Sequence, residues 1–174
     1  TWVAENTLRR HLWPGLFTSM VTRGEALGPR SWPAREIISQ VQQQRQRGEK
    51  AGGHIHFSMV ALMQDRDGIA SQLQAGPYAM QALVPATPWL DDQPQPQPPP
   101  APGLRRNGDR VTIEPGAGKP AARWAVWRRQ AGVWRFAVLP AGQRQFDSGG
   151  PDLLAVSAVD RVGNQGAQTI LKLP

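Results

Sequence analysis

Hydrophobic and polar positions change their spacing near the middle of this chain. Up to about Leu90 the apolar residues form short runs and helical stripes, whereas beyond about Leu104 they alternate with polar residues. Alternation between turn-forming residues is typical of half-buried β-strands, and short apolar runs between amphipathic helices are typical of α/β sheets. The pattern predicts a mixed helix and strand piece over residues 1–92 and a small β-sandwich over residues 104–174.

The first piece alternates helix and strand. Helices are predicted over residues 6–12, 31–47 and 68–74, and strands over residues 16–21 and 52–59. Ser31 and Pro33 are typical of a helix start, and Gly48 suits the end of the same helix. Such alternation predicts parallel strands with crossover helices. Because two parallel strands cannot cover both of their faces, this piece is expected to need further strands as neighbours.

The second piece is a series of short strands. Turn-forming sequences such as residues 107–109 and 148–150 separate the apolar runs. Strands are predicted over residues 110–114, 123–129, 133–139, 153–159 and 168–173, with weaker ones near Leu104 and Gln143. Trp124 and Val126 are expected to share the inner face, because alternate residues of a strand point the same way. The spacing predicts an all-β sandwich.

Residues 93–103 form a proline-rich linker between the two pieces. Pro-Gln repeats and three consecutive prolines favour an extended polyproline II spacer. The spacer is expected to separate the pieces rather than to pack against them. A ligand for a proline-binding domain is the alternative function of this run.

Composition and charge narrow the function classes. The chain has 174 residues, a net charge of +7 and no cysteine, which excludes disulfide scaffolds, thiolate metal sites and cysteine nucleophiles. The arginine pairs at 9–10, 105–106 and 128–129 are dispersed, so a nucleic-acid partner is not expected, and solvated surface or a polyanion site remain open. An apolar run of about 20 residues is missing, so a membrane span is not expected either.

Three motifs of the first piece carry a resemblance to a known family. Residues 12–17 (Leu-Trp-Pro-Gly-Leu-Phe), 53–59 (Gly-His-Ile-His-Phe-Ser-Met) and 82–90 resemble the C-terminal part of the glycosyl-hydrolase-like 10 family. The resemblance implies a (β/α)₈ (TIM) barrel whose last two βα units are residues 1–92, with strand seven near 12–19 and strand eight near 54–58. Residues 154–164 resemble a late strand and turn of fibronectin type III domains, which often follow bacterial glycosidases.

This resemblance implies a parent glycoside hydrolase acting on bacterial cell-wall or related amino-sugar polysaccharide. The chain would supply part of the substrate cleft and an accessory sandwich, would be inactive alone, and would need the remainder of the barrel upstream of Thr1. The implied partner is a peptidoglycan-type glycan. The implied location is periplasmic, cell-envelope or secreted, with the signal sequence upstream of this chain. No cofactor is implied. The alternative is a non-catalytic module that binds polysaccharide or protein.

Catalytic acids are not predicted in this chain. Glycoside hydrolysis ordinarily needs two carboxyl groups, which barrels place at the carboxyl ends of their strands. The carboxylates of the first piece lie elsewhere in the sequence: Glu5, Glu25, Glu36, Glu49, Asp65, Asp67, Asp91 and Asp92. The catalytic pair is therefore expected upstream.

Candidate sugar-binding groups follow from the barrel positions. Thr18 and Ser19 stand where strand seven is expected to end, and His56 and Ser58 where strand eight is expected to end. Trp89 could stack on a sugar or seal the barrel.

Two further features stay open at this stage. His54 and His56 are interpreted as barrel-interior residues with local hydrogen bonds; a metal site is the alternative, but it lacks a third ligand. Trp127 is predicted to face outward from the sandwich, either as a carbohydrate platform or as an ordinary exposed ring.

Overall fold

The computed structural model describes residues 2–21, 31–48, 52–92 and 97–173, and the chain divides into two compact units. The first unit is Thr1–Ala79 and the second is Met80–Pro174. The boundary therefore precedes residues 80–92, which the sequence pattern had grouped with the first piece. None of the helices in the described ranges is long and apolar enough to cross a membrane.

The first unit is a small parallel β-α-β arrangement with three further helices among its described residues. Its elements are α1 (Trp2–Glu5), β1 (Gly15–Leu16), α2 (Ala34–Gln46), β2 (Ile55–His56), α3 (Met59–Met63) and α4 (Ile69–Ala75), with 3-10 turns at Thr18–Met20 and Arg66–Gly68. The strands pair in parallel, Gly15 opposite Ile55 and Leu16 opposite His56. The parallel pairing and the crossover helix between the strands confirm the α/β pattern of this half.

Helix α2 is capped by a residue that is distant in the sequence. The backbone N–H of Ala34 donates to Oδ2 of Asp67 at 2.7 Å. Ser31, the predicted cap, lies before the extended Pro33 and makes no such bond. At the other end Gly48 has φ = +58°, a conformation that glycine adopts at little cost, as predicted.

Three local predictions for the first unit are corrected. The helix predicted over 6–12 is absent, because Asn6 exchanges two hydrogen bonds with the backbone of Arg10 and Arg9 has φ = +51°. The strand predicted over 16–21 stops at Leu16, where a 3-10 turn follows. The strand predicted over 52–59 contains only Ile55–His56, and Met59 already begins α3.

The apolar core of the first unit lies on one face of its strand pair. Its buried members are Leu16, Val21, Ala34, Ile37, Val41, Ile69 and Leu73. These residues come from β1, the helices α2 and α4, and the chain between them, so the helices cover the face that carries Leu16. The opposite face is open: Phe17, Ile55 and Phe57 are 47%, 55% and 61% exposed.

The second unit is an antiparallel β-sandwich. Its strands are β3 (Gly103–Asn107), β4 (Arg110–Glu114), β5 (Arg123–Gln130), β6 (Val133–Pro140), β7 (Gln145–Asp147), β8 (Leu153–Val159) and β9 (Gln165–Lys172). One sheet has the order β3-β4-β7 and the other β6-β5-β8-β9. Sheets of three and four antiparallel strands form a fibronectin type III-like sandwich, as predicted.

The two sheets enclose a core that follows the predicted alternation. Trp124 and Val126 are each 1% exposed and lie in one cluster with Ile113 and Leu154. The indole N–H of Trp124 donates to the carbonyl of Ala141 at 3.1 Å, so its polar atom is satisfied. Trp124 and Val126 share the inner face, as the period-two pattern predicts.

A segment outside the strands completes the second unit. We call residues 81–92 the docking segment. Its Thr87 donates its backbone N–H to the carbonyl of Val162 at 2.7 Å, and the Gln81 side chain accepts from the backbone N–H of Val138 at 2.9 Å. Asp92 pairs with Arg161 at 3.0 Å. The segment is therefore tied to the sandwich at several points.

Asp160 organises the turn that receives the docking segment. This buried carboxylate accepts backbone N–H groups from Val162 and Asn164 and pairs with Lys119, 2.7 Å away, which also pairs with Asp91. Burial opposes the charge, but hydrogen bonds from Lys119 and Asn164 hold the pKa of Asp160 below its usual value. The hydrogen bonds that Lys119 donates to Asp160 and to Asp91 raise the pKa of Lys119.

The described part of the proline-rich run packs on the sandwich. Pro99 is fully buried, and the Thr169 hydroxyl donates to the carbonyl of Pro102. Residues 97–102 therefore contact β9 instead of standing free of it. Residues 93–96, with the remaining Pro-Gln repeats, lie outside the described residues.

Gly166→Ala tests this packing. A Cβ at Gly166 would collide with the carbonyl oxygen of Pro99, so we expect the unfolding free energy of the second unit to fall by about 1–3 kcal/mol. Urea unfolding followed by tryptophan fluorescence measures it. The control is Gly142→Ala, where a Cβ would meet no described atom within 4 Å. Equal effects of the two substitutions would contradict the packing of Pro99 against β9.

Candidate functional site

The carboxyl ends of β1 and β2 define the candidate site of the first unit. Thr18 follows β1 after one residue, and His56 ends β2. The two side chains meet: the Thr18 hydroxyl oxygen lies 2.8 Å from Nδ1 of His56. Ligands of parallel α/β proteins bind at this end of the strands, so the predicted residues lie at the expected edge.

The strand register decides which face each side chain occupies. Leu16 is opposite His56 and Gly15 is opposite Ile55, so His56 shares the helix-covered face of Leu16, while Ile55 lies on the open face. His54, two residues before His56, shares its face. The interpretation of the histidines as barrel-interior residues is therefore corrected, because the helices lie on their side of the sheet. Their predicted local hydrogen bonding is confirmed.

The histidines and Tyr78 form a directed hydrogen-bond chain. The Tyr78 hydroxyl lies 2.7 Å from Nε2 of His56 and also bonds to Nε2 of His54. The Thr18 hydroxyl donates to the carbonyl of Leu16 and so accepts from Nδ1–H of His56. Nε2 of His56 is then a bare acceptor for the Tyr78 O–H, and Tyr78 accepts from Nε2–H of His54. The bond that Nε2 of His56 accepts requires a neutral His56 imidazole, because a protonated imidazole has no acceptor nitrogen.

Burial reinforces that protonation state. It lowers the pKa of His54, with His56 and Arg45 adding electrostatic repulsion, and it lowers the pKa of His56. Burial also raises the pKa of Tyr78, although the nearby Arg45 acts in the opposite direction. The Arg45 guanidinium carbon lies 5.8 Å from the centre of the Tyr78 ring. The cluster therefore holds neutral donors and acceptors that orient one another.

The other predicted sugar-binding residues lie in different settings. The Ser19 hydroxyl is directed at the carbonyl of Phe57, 3.2 Å away, and Ser58 directly precedes α3. The peptide bond between Phe57 and Ser58 is cis. Trp89 lies on a 3-10 turn, Pro88–Leu90, in the second unit. The structure thus brings Thr18 and His56 together, and the role of all these residues in sugar binding stays a prediction.

Two carboxylates of the first unit hold the starts of helices. Asp65 accepts the backbone N–H groups of Ala70 and Ser71, at 2.7 and 3.1 Å, in the first turn of α4. The Ser71 hydroxyl and backbone lower the pKa of Asp65. Asp67 holds the start of α2. Glu25 and Glu49 lie outside the described residues. Within the described ranges, groups of three or more His, Cys, Asp or Glu side chains that could hold a metal ion are absent.

The open face carries residues that the sequence reasoning missed. The rings of Phe17 and Phe57 lie 5.5 Å apart, each just beyond the carboxyl end of its strand. Phe17 also meets Trp32 edge-on at 6.3 Å. The signal was present in residues 54–58, where Ile55 and Phe57 alternate with the polar residues. It could not be assigned to a face without the register.

The comparisons with known proteins give a likeness for the sandwich. No protein-family model matches the sequence, and no curated protein matches it. Among solved structures, the chain is similar to an FN3 domain of human collagen XX, with 19% sequence identity, a TM-score of 0.32, and 53% of this chain and 100% of that chain covered. A TM-score of 0.32 is too low to support a fold assignment, so the sandwich is assigned from its own strand order. These findings do not support a glycosyl-hydrolase-like family for the first unit.

The neutral histidine chain predicts a pH dependence of stability. Because the folded-state pKa values of His54 and His56 lie below 6.5, their contribution is complete above pH 6.5 and is lost as pH falls through the folded values. Protection factors for the amides of Ile37 and Val41, measured between pH 7.5 and 5.5, give the opening free energy of the first unit. We expect this opening free energy to fall with pH in the unsubstituted chain and to stay level in the double variant His54→Gln/His56→Gln. The same change of opening free energy with pH in both proteins would contradict the hydrogen-bond chain of the two histidines.

Proposed function

We propose that the first unit is the C-terminal part of a (β/α)₈ barrel and that the parent protein hydrolyses a bacterial cell-wall or related amino-sugar glycan. The observation that carries the proposal is the β1-α2-β2 arrangement, with helices on one face and the apolar residues Phe17, Ile55 and Phe57 on the other. A barrel would bury the exposed apolar face, because its remaining strands enclose the face opposite the helices.

The Phe17–Phe57 pair is the part of this chain best placed to contact a sugar. Both rings are about half exposed and lie at the carboxyl ends of parallel strands, where barrel enzymes hold their substrates. Flat aromatic rings cover the apolar faces of ligands and leave polar groups free for hydrogen bonding. In this proposal Thr18 and His56 act from behind, by fixing the ends of the two strands.

The proposal assigns the catalytic acids to the remainder of the barrel. Asp65 and Asp67 are engaged in holding helix starts, so neither is placed as an acid at a strand end. A hydrolase of this kind needs a pair of carboxyl groups across its cleft. The chain on its own is therefore proposed to be inactive.

The sequence upstream of this chain, and the longer protein proposed to contain it, test the enzyme proposal. We expect the upstream sequence to contain six further βα units with Asp or Glu at the ends of two strands, as eight units complete the barrel. That protein should release reducing ends from purified peptidoglycan, and Phe57→Ala should lower its kcat/KM about tenfold, equivalent to ~1.4 kcal/mol. Leu8→Ala, a change at a 74% exposed residue, is the control. An upstream domain without βα units would contradict the enzyme proposal.

The sandwich supports a second candidate, a polysaccharide-binding module. Trp127 and Phe136 are cross-strand neighbours with ring centres 4.9 Å apart, and their alternation with the core residue Val126 places them on the outer face of the sheet. On that face Trp134 is 43% exposed, and the Arg129 guanidinium lies 5.8 Å from the centre of its ring. Adjacent aromatic rings of this kind offer an apolar platform to a sugar.

Retention on insoluble peptidoglycan tests that platform. We expect Trp127→Ala to raise the dissociation constant about tenfold, a loss of ~1.4 kcal/mol. Trp89→Ala, made in parallel, tests the other tryptophan predicted to bind sugar. Ile170→Ala, an aliphatic change at a residue 59% exposed, is the control. Unchanged retention in both tryptophan variants would reject either ring as a platform.

A further inference from the structure

One end of the sandwich holds two arginines opposite each other. Arg128 on β5 and Arg135 on β6 are direct cross-strand partners. Like charges directly opposite each other destabilise a sheet, so such a pair calls for a compensating negative charge. Among the described residues, neither guanidinium forms a salt bridge with a carboxylate.

Arg128 points inward, toward the end of the core. It alternates with Trp124 and Val126, which are core residues of the same strand. Its guanidinium carbon lies 4.9 Å from the centre of the Phe146 ring, and its Nη2 donates to the carbonyl of Asp147 at 3.3 Å. The charge therefore lies between the two sheets and is half-buried rather than fully hydrated.

Two polar atoms at this place lack a hydrogen-bond partner among the described residues. They are Nε of Arg128 and the hydroxyl oxygen of Ser148, both buried. Ser148 is only 1% exposed, and it is joined by one peptide bond to the carbonyl that accepts from Arg128. Buried polar groups are almost always hydrogen-bonded, so each of these two atoms calls for a partner that the described residues do not supply.

The neighbouring carboxylates do not supply that partner. Because Phe146 faces the core, the alternation of β7 turns the Asp147 side chain to the opposite side of its sheet. Asp152 pairs with Arg129 at 2.9 Å, and Asp109 lies 3.9 Å from Arg106. Burial lowers the pKa of Arg128, which reflects the cost of holding its charge without a counterion.

We propose that Arg128, Arg135 and Ser148 form a binding site for an oxyanion group, either a carboxylate or a phosphate carried by a ligand. Guanidinium groups match both anions with paired N–H donors, and the serine hydroxyl adds a donor of its own. The anion would neutralise the arginine pair and satisfy both buried polar groups. A nucleic acid would instead need a stripe of basic groups, whereas this site offers two on one strand pair. The proposal does not depend on the barrel.

Chemical-shift titration of the whole chain tests the site. Sodium phosphate and sodium acetate are added separately at constant ionic strength, and the Nε–H signal of Arg128 and the amide of Ser148 are followed. We expect saturable shifts at both positions. Saturation by phosphate alone assigns the anion as phosphate, and saturation by acetate assigns it as carboxylate. Shifts that stay linear with both anions would overturn the site.

Substitutions separate a built site from general charge attraction. Arg135→Gln should weaken binding about tenfold through loss of a charge-assisted hydrogen bond. Arg144→Gln removes the same charge from an exposed position of the same unit and should change the affinity less than about twofold. Equal weakening by the two variants would show attraction to net charge alone and overturn the proposal.

Ser148→Ala provides a variant that should remain folded. It removes a buried hydroxyl without a partner, so the melting temperature should hold or rise. The affinity for the saturating anion should fall about threefold with the loss of one neutral hydrogen bond. An unchanged affinity would contradict the role of Ser148. Arg128 is left in place because it covers Phe146.

Discussion

The parallel pairing of β1 with β2 is the constraint on which the first unit depends. It fixes Leu16 and His56 on the face that α2 and α4 cover, and it leaves Ile55 on the other. A two-stranded sheet with a single helical layer can bury only one of its faces. The apolar open face and the neutral histidine chain both follow from this register. So does the proposed barrel, because further strands are what would cover the open face.

The second unit depends instead on residues outside its strands. The buried carboxylate of Asp160 holds the turn after β8, and that turn receives the docking segment through Val162. Pro99 packs against Gly166 on β9. Two stretches that the sequence pattern placed outside the sandwich, the docking segment and the described end of the proline-rich run, are thus parts of it. The inner faces of β5 and β6 end in the Arg128–Arg135 pair, where the core gives way to the proposed oxyanion site.

The sequence predicted the sandwich better than the first unit, for a physical reason. Period-two alternation marks strands locally, so β4, β5, β6 and β8 were placed within a residue of their observed bounds. In the first unit the strands are two residues long and depend on distant contacts, such as the Asp67 cap on α2. The face of His56 depends on register, and no local pattern encodes it. The predicted residues Thr18 and His56 do meet, whereas Phe17 and Phe57 become visible only once the faces are known.

The central claim is that further strands cover the open face of β1 and β2 in the parent protein. Hydroxyl-radical footprinting of Ile55, which is 55% exposed in this chain, tests it most directly. We expect its oxidation rate in the proposed longer protein to be at least about fivefold lower, since interior barrel positions are packed with side chains. The exposed Ile170 of the sandwich serves as the internal reference. An oxidation rate at Ile55 equal to that in this chain would contradict the barrel.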